Sequence, residues 1–194
     1  HGMPDLNHID NANMSTPPNG ISPTMQMYLF HVPGASDDPA TGDPFVPTTG
    51  SFDASVLYHE YTHGLSNRLV IDANGNSTLN SIEAGSMGEA WSDWYAMDYL
   101  VSHGFLRDTK KAGNLLEGDY VAAGQHLIRT MAIDCAVGAI SKGCTSGFDP
   151  SVKGGYTYGD FPDIVGGPEV HGSGEIWGQT LWDLRKKLGH KLTD

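Results

Sequence analysis

Two histidines placed four residues apart on a predicted helix constrain this chain more than any other feature. His59 and His63 are the ends of the stretch HEYTH, with Glu60 beside the first. Because positions i and i+4 of a helix share a face, both imidazoles can bind one metal ion. Glu60 is rotated by about 100° around the helix and is placed to hold a water beside that ion. Two nitrogen ligands, an open position and a nearby base are typical of zinc-assisted hydrolysis.

The segment around the motif is predicted to be a buried helix from about Asp53 to Val70. Apolar residues surround the motif on more than one face, namely Val56, Leu57, Tyr58, Tyr61, Leu65 and Leu69. A helix that is apolar on several faces is expected in a protein interior, where His and Glu need partners. The alternative is a helix whose histidines lie on the surface without a metal.

A second helix is predicted from about Ser81 to Val101, with Asn80 or Ser81 as its N-cap. Glu89 follows His63 with 25 residues between them, enough for a loop and a return to the first helix. Asp93 lies four residues after Glu89, on the same face. We therefore predict Glu89 as the third ligand and Asp93 as the acceptor of the second N–H of His59. The alternative for Glu89 is an exposed helix acid.

Longer stretches of the chain resemble the fungalysin family of secreted zinc metallopeptidases, which are relatives of thermolysin. The resemblance is carried by HEYTHGLSNR at 59–68, MGEAWSD at 87–93, NANMSTPPNG at 11–20, MQMYL at 25–29 and EVHGSGEIW at 169–177. It spans about residues 7 to 185. It implies that His59, His63 and Glu89 bind one zinc ion and that Glu60 is the general base.

The resemblance also implies an α+β, mainly helical fold. We expect the catalytic helical core of a thermolysin-like zincin with a short β edge, truncated at both ends. Residues 1–194 would form part of a single metallopeptidase catalytic domain. Within it, 1–50 would be the remnant of the β-rich part with an edge strand, and 51–194 the zinc-binding helical part. A propeptide or the missing part of the catalytic domain is an expected partner.

The implied function is a secreted, extracellular zinc endopeptidase that hydrolyses peptide bonds in proteins or peptides, using a zinc-held water activated by Glu60. The metzincin extension would need Gly and His where the chain has Ser66 and Leu69, and no aminopeptidase-type motif is present. Two alternatives stay open: a catalytically idle, zinc-stabilised fragment or binding module, and a structural fragment without metal. Glu60 argues against the first, since a structural zinc site needs four protein ligands and no base.

The oxyanion donor must differ from that of thermolysin, because residues 64–88 contain neither Tyr nor His. The resemblance favours His171 as this second catalytic residue, against the alternative of a capping or surface histidine. Tyr156 and Tyr158 are reserve donors, and Asp160 and Asp163 are possible orienting carboxylates for His171. By the same resemblance, Asn11 and Ala12 are predicted to bind the extended substrate backbone, although Asn11 can also be an exposed turn residue.

The charge of the chain narrows its other partners. A net charge of −12 disfavours nucleic acid and anionic membranes as partners.

The spacing of an EF-hand calcium loop is present at Asp72, Asn74, Asn76 and Glu83, but the sixth position of the loop holds Ser77 in place of Gly. A Ca²⁺ ion there is possible, but an ordinary Asn/Gly loop that caps the next helix is favoured. Cys135 and Cys144 are expected to form a disulfide, as in secreted proteins, with two free thiols as the alternative.

The remaining segments give weaker patterns. Residues 1–23 are predicted to be irregular with a turn at 18–20, and Thr24–Val32 is predicted to be a strand from its alternation of side chains. A polar loop is expected at 33–50. Further helices are predicted near 119–133 and 173–189, with a loop between 134 and 172 that is rich in Gly, Asp and Tyr.

Overall fold

The computed structural model describes residues 8–36, 38 and 42–192, without the side chains of 190–192. The described part combines three α-helices with two small antiparallel sheets, so the predicted α+β, mainly helical fold is confirmed. No helix in the described ranges is both long and apolar enough to cross a membrane. Parts of the predicted segments 1–23 and 33–50 (positions 1–7, 37 and 39–41) lie outside the described residues.

Helices α1 (Ala54–Leu69) and α2 (Ile82–Ser102) begin at side-chain caps. Asp53 accepts the backbone N–H groups of Ser55 and Val56, and the Ser81 hydroxyl accepts that of Ala84. These caps fix both helix starts, because the first N–H groups of a helix have no partner within it. The predicted helices around His59 and Glu89 are thus confirmed to within one residue at each end.

Helix α3 (Val170–Leu192) packs against α2, which also packs against α1. A Cβ at Gly174 would lie 3.0 Å from the Cβ of Glu89 and 3.0 Å from the carbonyl oxygen of Ser86. Glycine therefore lets the first turns of α3 approach α2 directly beside Glu89. The helix predicted at 173–189 is confirmed and extends by three residues at each end.

Helix α1 is not buried on every side, so that expectation is wrong. Tyr61, Leu65 and Leu69, spaced by four residues along one face, are 67, 47 and 71 % exposed. The opposite face, which carries Val56, His59 and Glu60, is buried. The helix contacts α2 and the first strands on that face, and its apolar outer stripe is left uncovered by the rest of the described chain.

The sheets frame the buried face of α1. Strand β1 (Ala12–Ser15) pairs antiparallel with β2 (Thr24–Met27), with Ala12 opposite Met27. Strand β3 (Leu29–Phe30) pairs with β4 (Thr48–Thr49). The single strand predicted at 24–32 is therefore interrupted at Tyr28. The prediction of an irregular 1–23 is wrong at β1, whose residues lack strand-forming side chains and are extended by pairing. The turn predicted at 18–20 is confirmed by a 3.2 Å hydrogen bond from Ile21 N–H to the Pro18 carbonyl.

No α-helix forms between residues 103 and 169, so the helix predicted at 119–133 is wrong. Ala123 and Gly124 have φ values of +50° and +74°, which interrupt a right-handed helical path. Asp53 fixes the start of the 119–133 segment by accepting the N–H groups of Tyr120 and Val121.

The predicted Cys135–Cys144 disulfide is present. It lies in a core cluster with Met131, Ala132, Tyr156, Ile164 and Ile176.

Candidate metal centre

The structure brings His59, His63 and Glu89 together where α1 faces α2. The Nε2 atoms of the two histidines are 2.9 Å apart. One Glu89 oxygen lies 3.4 Å from Nε2 of His59 and the other lies 3.5 Å from Nε2 of His63. Three donor atoms from two helices thus converge on one point, all within 4.8 Å of one another.

These donors fit a zinc ion. Two imidazole nitrogens and one carboxylate oxygen form a three-ligand set that leaves one tetrahedral position open. Burial opposes a positive charge on His59, but the carboxylates of Glu117 and Asp93 raise its pKa well above the usual range. Despite its burial, Glu89 has a pKa held far below the usual range by hydrogen bonds from the two histidines. The site therefore favours a cation among these groups.

The described residues contain one other group that could hold a metal, formed by His59, Asp93 and Glu117. It would use Nδ1 of His59, on the side of the ring opposite the first group. The guanidinium of Arg129 already lies against this side, with its Nε 2.7 Å from an Asp93 oxygen. Because a cation already lies at this position, the first group is the better candidate for a metal site.

Asp93 links the two sides of the centre. Its Oδ1 lies 2.7 Å from Nδ1 of His59, and its two oxygens accept Nε and Nη2 of Arg129 at 2.7 and 2.8 Å. Although Asp93 is buried, the positive charge of Arg129 holds its pKa well below the usual range. An ionised Asp93 fixes Nδ1 of His59 as the protonated nitrogen and leaves Nε2 free to bind a metal.

Glu117 is a buried carboxyl group that the sequence analysis missed. One of its oxygens lies 3.0 Å from Nδ1 of His59. The other lies 3.6 Å from Nε of Arg129 and makes no hydrogen bond. Burial, followed by the negative charge of Asp93, raises the pKa of Glu117 to about 8. No motif or spacing marks this residue, which stands between two leucines and a glycine in an irregular segment.

Arg129 was also missed, because it lies in the segment wrongly predicted as a helix. Besides holding Asp93, its Nη2 lies 3.4 Å from an oxygen of Glu89. Its side chain is buried and lines the cleft above the ligands. The one available signal was a single cation placed directly after an apolar pair, Leu127 and Ile128.

Glu60 is buried beside the ligands and lines the same cleft, but it is not one of the converging donors. Burial raises its pKa, which makes its carboxylate a stronger proton acceptor than an exposed one. The cleft has a volume of about 440 Å³. Its walls come from β1, from the facing sides of α1 and α2, from Ile128 and Arg129, and from the start of α3.

His171 stands at the rim of this cleft, in the first turn of α3. Its Nε2 lies 3.5 Å from an oxygen of Glu89, its Nδ1 contacts Glu169, and its side chain is 52 % exposed. Glu169 therefore orients it, and the expected roles of Asp160 and Asp163 are not seen. Asp160 instead accepts the N–H and hydroxyl of Thr157.

Tyr156 and Tyr158, the two alternative oxyanion donors, lie outside the cleft. The hydroxyl of Tyr156 is bonded to Thr130 at 2.7 Å, and that of Tyr158 donates to Glu83 at 3.1 Å. Neither tyrosine lines the cleft. Asn11 and Ala12, by contrast, do line it. Strand β1 pairs with β2 on one side, and no other described strand pairs with its second edge.

The segment with the spacing of a calcium loop, which begins at Asp72, forms a turn closed by side-chain hydrogen bonds. Oδ1 of Asp72 accepts the backbone N–H groups of Asn74 and Asn76 at 2.8 and 3.0 Å. Glu83 lies in the first turn of α2 and accepts the Tyr158 hydroxyl. Neither of the two possible metal-binding groups in the described part of the chain includes these residues. The loop ends at Ser81, the N-cap of α2, as expected for the favoured alternative of an ordinary loop that caps the next helix.

Comparison with known proteins agrees with the geometry. The model of the fungalysin metallopeptidase family matches residues 2–192. Extracellular metalloproteinase 2 of Arthroderma gypseum is 33 % identical over 180 residues, which cover 93 % of this chain and 23 % of the relative. The protein of the same name from Trichophyton rubrum is 32 % identical over 189 residues, which cover 95 % of this chain and 25 % of the relative. The protein of the same name from Phaeosphaeria nodorum is 43 % identical over 119 residues, which cover 61 % of this chain and 16 % of the relative. The chain thus spans about a quarter or less of these relatives' length.

Proposed function

This chain belongs to the fungalysin family of metallopeptidases, and we propose that it is a zinc endopeptidase that hydrolyses peptide bonds in proteins. The observation that carries the proposal is a buried Glu60 lining the same cleft as three converging ligands, His59, His63 and Glu89. A base beside an incomplete ligand set is what hydrolysis requires. We assign residues 1–194 to one metallopeptidase domain, with the helical part from residue 51.

The assigned ligands divide the work between two helices. His59 and His63 would hold zinc from α1, and Glu89 would hold it from α2. Zinc bound there would supply a Lewis acid that polarises the attacking water and the peptide carbonyl. Asp93 keeps the proton on Nδ1 of His59, and Arg129 keeps Asp93 ionised.

Glu60 acts as the general base and then as the general acid. It accepts a proton from the water as the oxygen attacks the carbonyl carbon, and it passes that proton to the leaving amine nitrogen. Its burial supports this exchange, because a raised pKa brings the carboxyl group closer to the pH at which it must both accept and release a proton.

His171 donates a hydrogen bond to the carbonyl oxygen as negative charge develops on it. Glu169, which contacts Nδ1, orients the ring so that Nε2 faces the cleft. One such donor contributes about 3 kcal/mol to stabilisation of the transition state. The second edge of β1, at Asn11 and Ala12, would bind the extended substrate backbone and align the scissile bond.

Secretion is part of the same proposal. The matched relatives are named extracellular metalloproteinases, and the Cys135–Cys144 disulfide is typical of proteins that mature in an oxidising compartment. The acidic chain then acts on protein or peptide substrates outside the cell. A propeptide, or a further part of the catalytic domain, stays a predicted partner.

Casein hydrolysis by the purified chain, with and without a chelator, tests the proposal together with metal analysis. We expect one zinc per chain, and cleavage that stops with chelator and returns when zinc is added. Glu60→Gln is the control for a contaminating protease, because it should bind zinc without cleaving. Zinc without cleavage by the unaltered chain would favour the catalytically idle binding module, and absence of metal would favour a structural fragment.

A further inference from the structure

A buried carboxylate from α3 lies behind the metal centre and takes no part in the proposed chemistry. Glu175 is 4 % exposed. One of its oxygens accepts the backbone N–H of Thr130 at 2.8 Å, and the other accepts that of Met131 at 2.9 Å. The Thr130 hydroxyl adds a third bond at 3.1 Å. One side chain thus binds two consecutive N–H groups directly after Arg129.

From this arrangement we propose that Glu175 is a positioning residue that holds Arg129 in place, and through it Asp93 and His59. The N–H of Thr130 belongs to the peptide group that follows Arg129, so its direction fixes the ψ angle of Arg129. The segment has no helix or strand hydrogen bonds of its own to do this. Glu175 therefore sets the direction from which the guanidinium reaches Asp93.

The resulting chain of contacts crosses the domain. Glu175 on α3 binds the backbone next to Arg129, which donates two hydrogen bonds to Asp93 on α2. Asp93 in turn accepts Nδ1 of His59 on α1. The hydrogen bonds in this series are 2.7–2.9 Å long and join buried or half-buried residues. A shift of Arg129 would therefore be transmitted to the ring of His59.

The energetic cost of Glu175 supports an orienting role. Burial raises the pKa of this carboxyl group to about 7 even though it receives two backbone hydrogen bonds and the attraction of Arg129. A buried charge is a poor source of stability. Its two oxygens, however, match two successive N–H groups in a way that a single hydroxyl or amide cannot.

Gln179 provides a matched control on the same helix. It is also 4 % exposed and also binds irregular backbone, accepting the N–H of Tyr156 at 2.7 Å and donating to the carbonyl of Ala132 at 3.3 Å. It does not bind the backbone on either side of Thr130. Replacing Gln179 therefore loosens the core near α3 without releasing Arg129.

The first measurement is proton exchange at the arginine Nε–H groups of the metal-free chain, observed by ¹⁵N–¹H NMR. The Arg129 signal is identified by its loss in Arg129→Lys. We expect Glu175→Met to speed its exchange about tenfold or more, and Gln179→Met to leave it unchanged. If Glu175→Met does not fold, Glu175→Gln, which keeps one accepting oxygen, is measured in its place and should show a smaller change in the same direction.

The second measurement is zinc affinity by chelator competition, and this part rests on the proposed ligand set. Glu175→Met should weaken zinc binding about tenfold, and this effect should vanish in the Arg129→Lys background, because the two residues act in series. Equal Arg129 exchange in the unaltered chain and in the Glu175 variant would overturn the inference. So would an equal effect of Gln179→Met, or a zinc effect that persists in Arg129→Lys. Since the exchange experiment needs neither zinc nor cleavage, failure of the proposed function would be recognised separately.

Discussion

Nδ1 of His59 lies 2.7 Å from an oxygen of Asp93, although the two residues are on different helices. This contact orients the ring and fixes its tautomer, so we expect Asp93→Ala to weaken zinc affinity by about 10–100-fold without unfolding the chain. Chelator titration measures the effect. Asp98→Ala is the control, because Asp98 lies on the same helix but pairs with Arg185 instead. Equal zinc affinity in the unaltered chain and Asp93→Ala would contradict the role.

Glu60 is assigned to the water and not to the metal. We expect Glu60→Gln to reduce peptide cleavage to a few per cent of the unaltered rate or less, with zinc content unchanged, because the amide cannot accept a proton. Cleavage assays combined with metal analysis check this. Loss of zinc from the variant would instead show that Glu60 is a ligand.

His171 should act mainly in the transition state. We expect His171→Ala to lower kcat by about 10²–10³-fold, with little change in KM and full zinc content, since the hydrogen bond strengthens as charge develops. Steady-state kinetics on a peptide substrate provide the measurement. His103→Ala, an exposed histidine that stacks on Tyr99, is the control. A near-normal kcat would assign the oxyanion to another donor.

Glu117 should make the metal-free chain less stable at alkaline pH. Its pKa of about 8 exceeds that of a carboxyl group in an unfolded chain. The folded state therefore retains its proton while the unfolded state releases it, and stability falls as the pH rises from about 4.3 to about 8. Each unit of difference corresponds to about 1.4 kcal/mol.

Urea unfolding in chelator at pH 5 and pH 9 tests this prediction. Glu117→Gln should lose less stability between the two values than the unaltered chain does. Glu83→Gln, which replaces an exposed acid, serves as the control, and its unfolding free energy should change with pH as that of the unaltered chain does. Parallel pH profiles for Glu117→Gln and the unaltered chain would show that Glu117 has an ordinary pKa in the folded state.

The parts of the site carried by helices could be predicted because helical spacing determines which side chains share a face. His59 and His63, and likewise Glu89 and Asp93, are i and i+4 pairs, and both helices have caps that can be recognised in the sequence. The family resemblance added what spacing alone does not provide, namely the place of His171 beside the ligands.

Glu117 and Arg129 could not be predicted in this way. Both lie in the long segment without α-helix, where position depends on individual contacts, such as those of Asp53 with Tyr120 and Val121. The helix predicted at 119–133 in the same segment does not form, and the residue pattern does not reveal the positive φ at Ala123 that interrupts it. The exposed stripe of α1 was misjudged for a related reason, because composition does not show which neighbour covers a face.

The division of the ligands between α1 and α2 has a consequence for how the chain unfolds. Two ligands come from one helix and the third from the next, with the loop 70–81 between them, so a bound ion would act as a cross-link between the helices. Folding and metal loading would then be thermodynamically linked: free zinc at 100 times its Kd would add about 2.7 kcal/mol to the unfolding free energy. Chelation would lower the midpoint of thermal unfolding, and it would expose the connecting loop to proteolysis first.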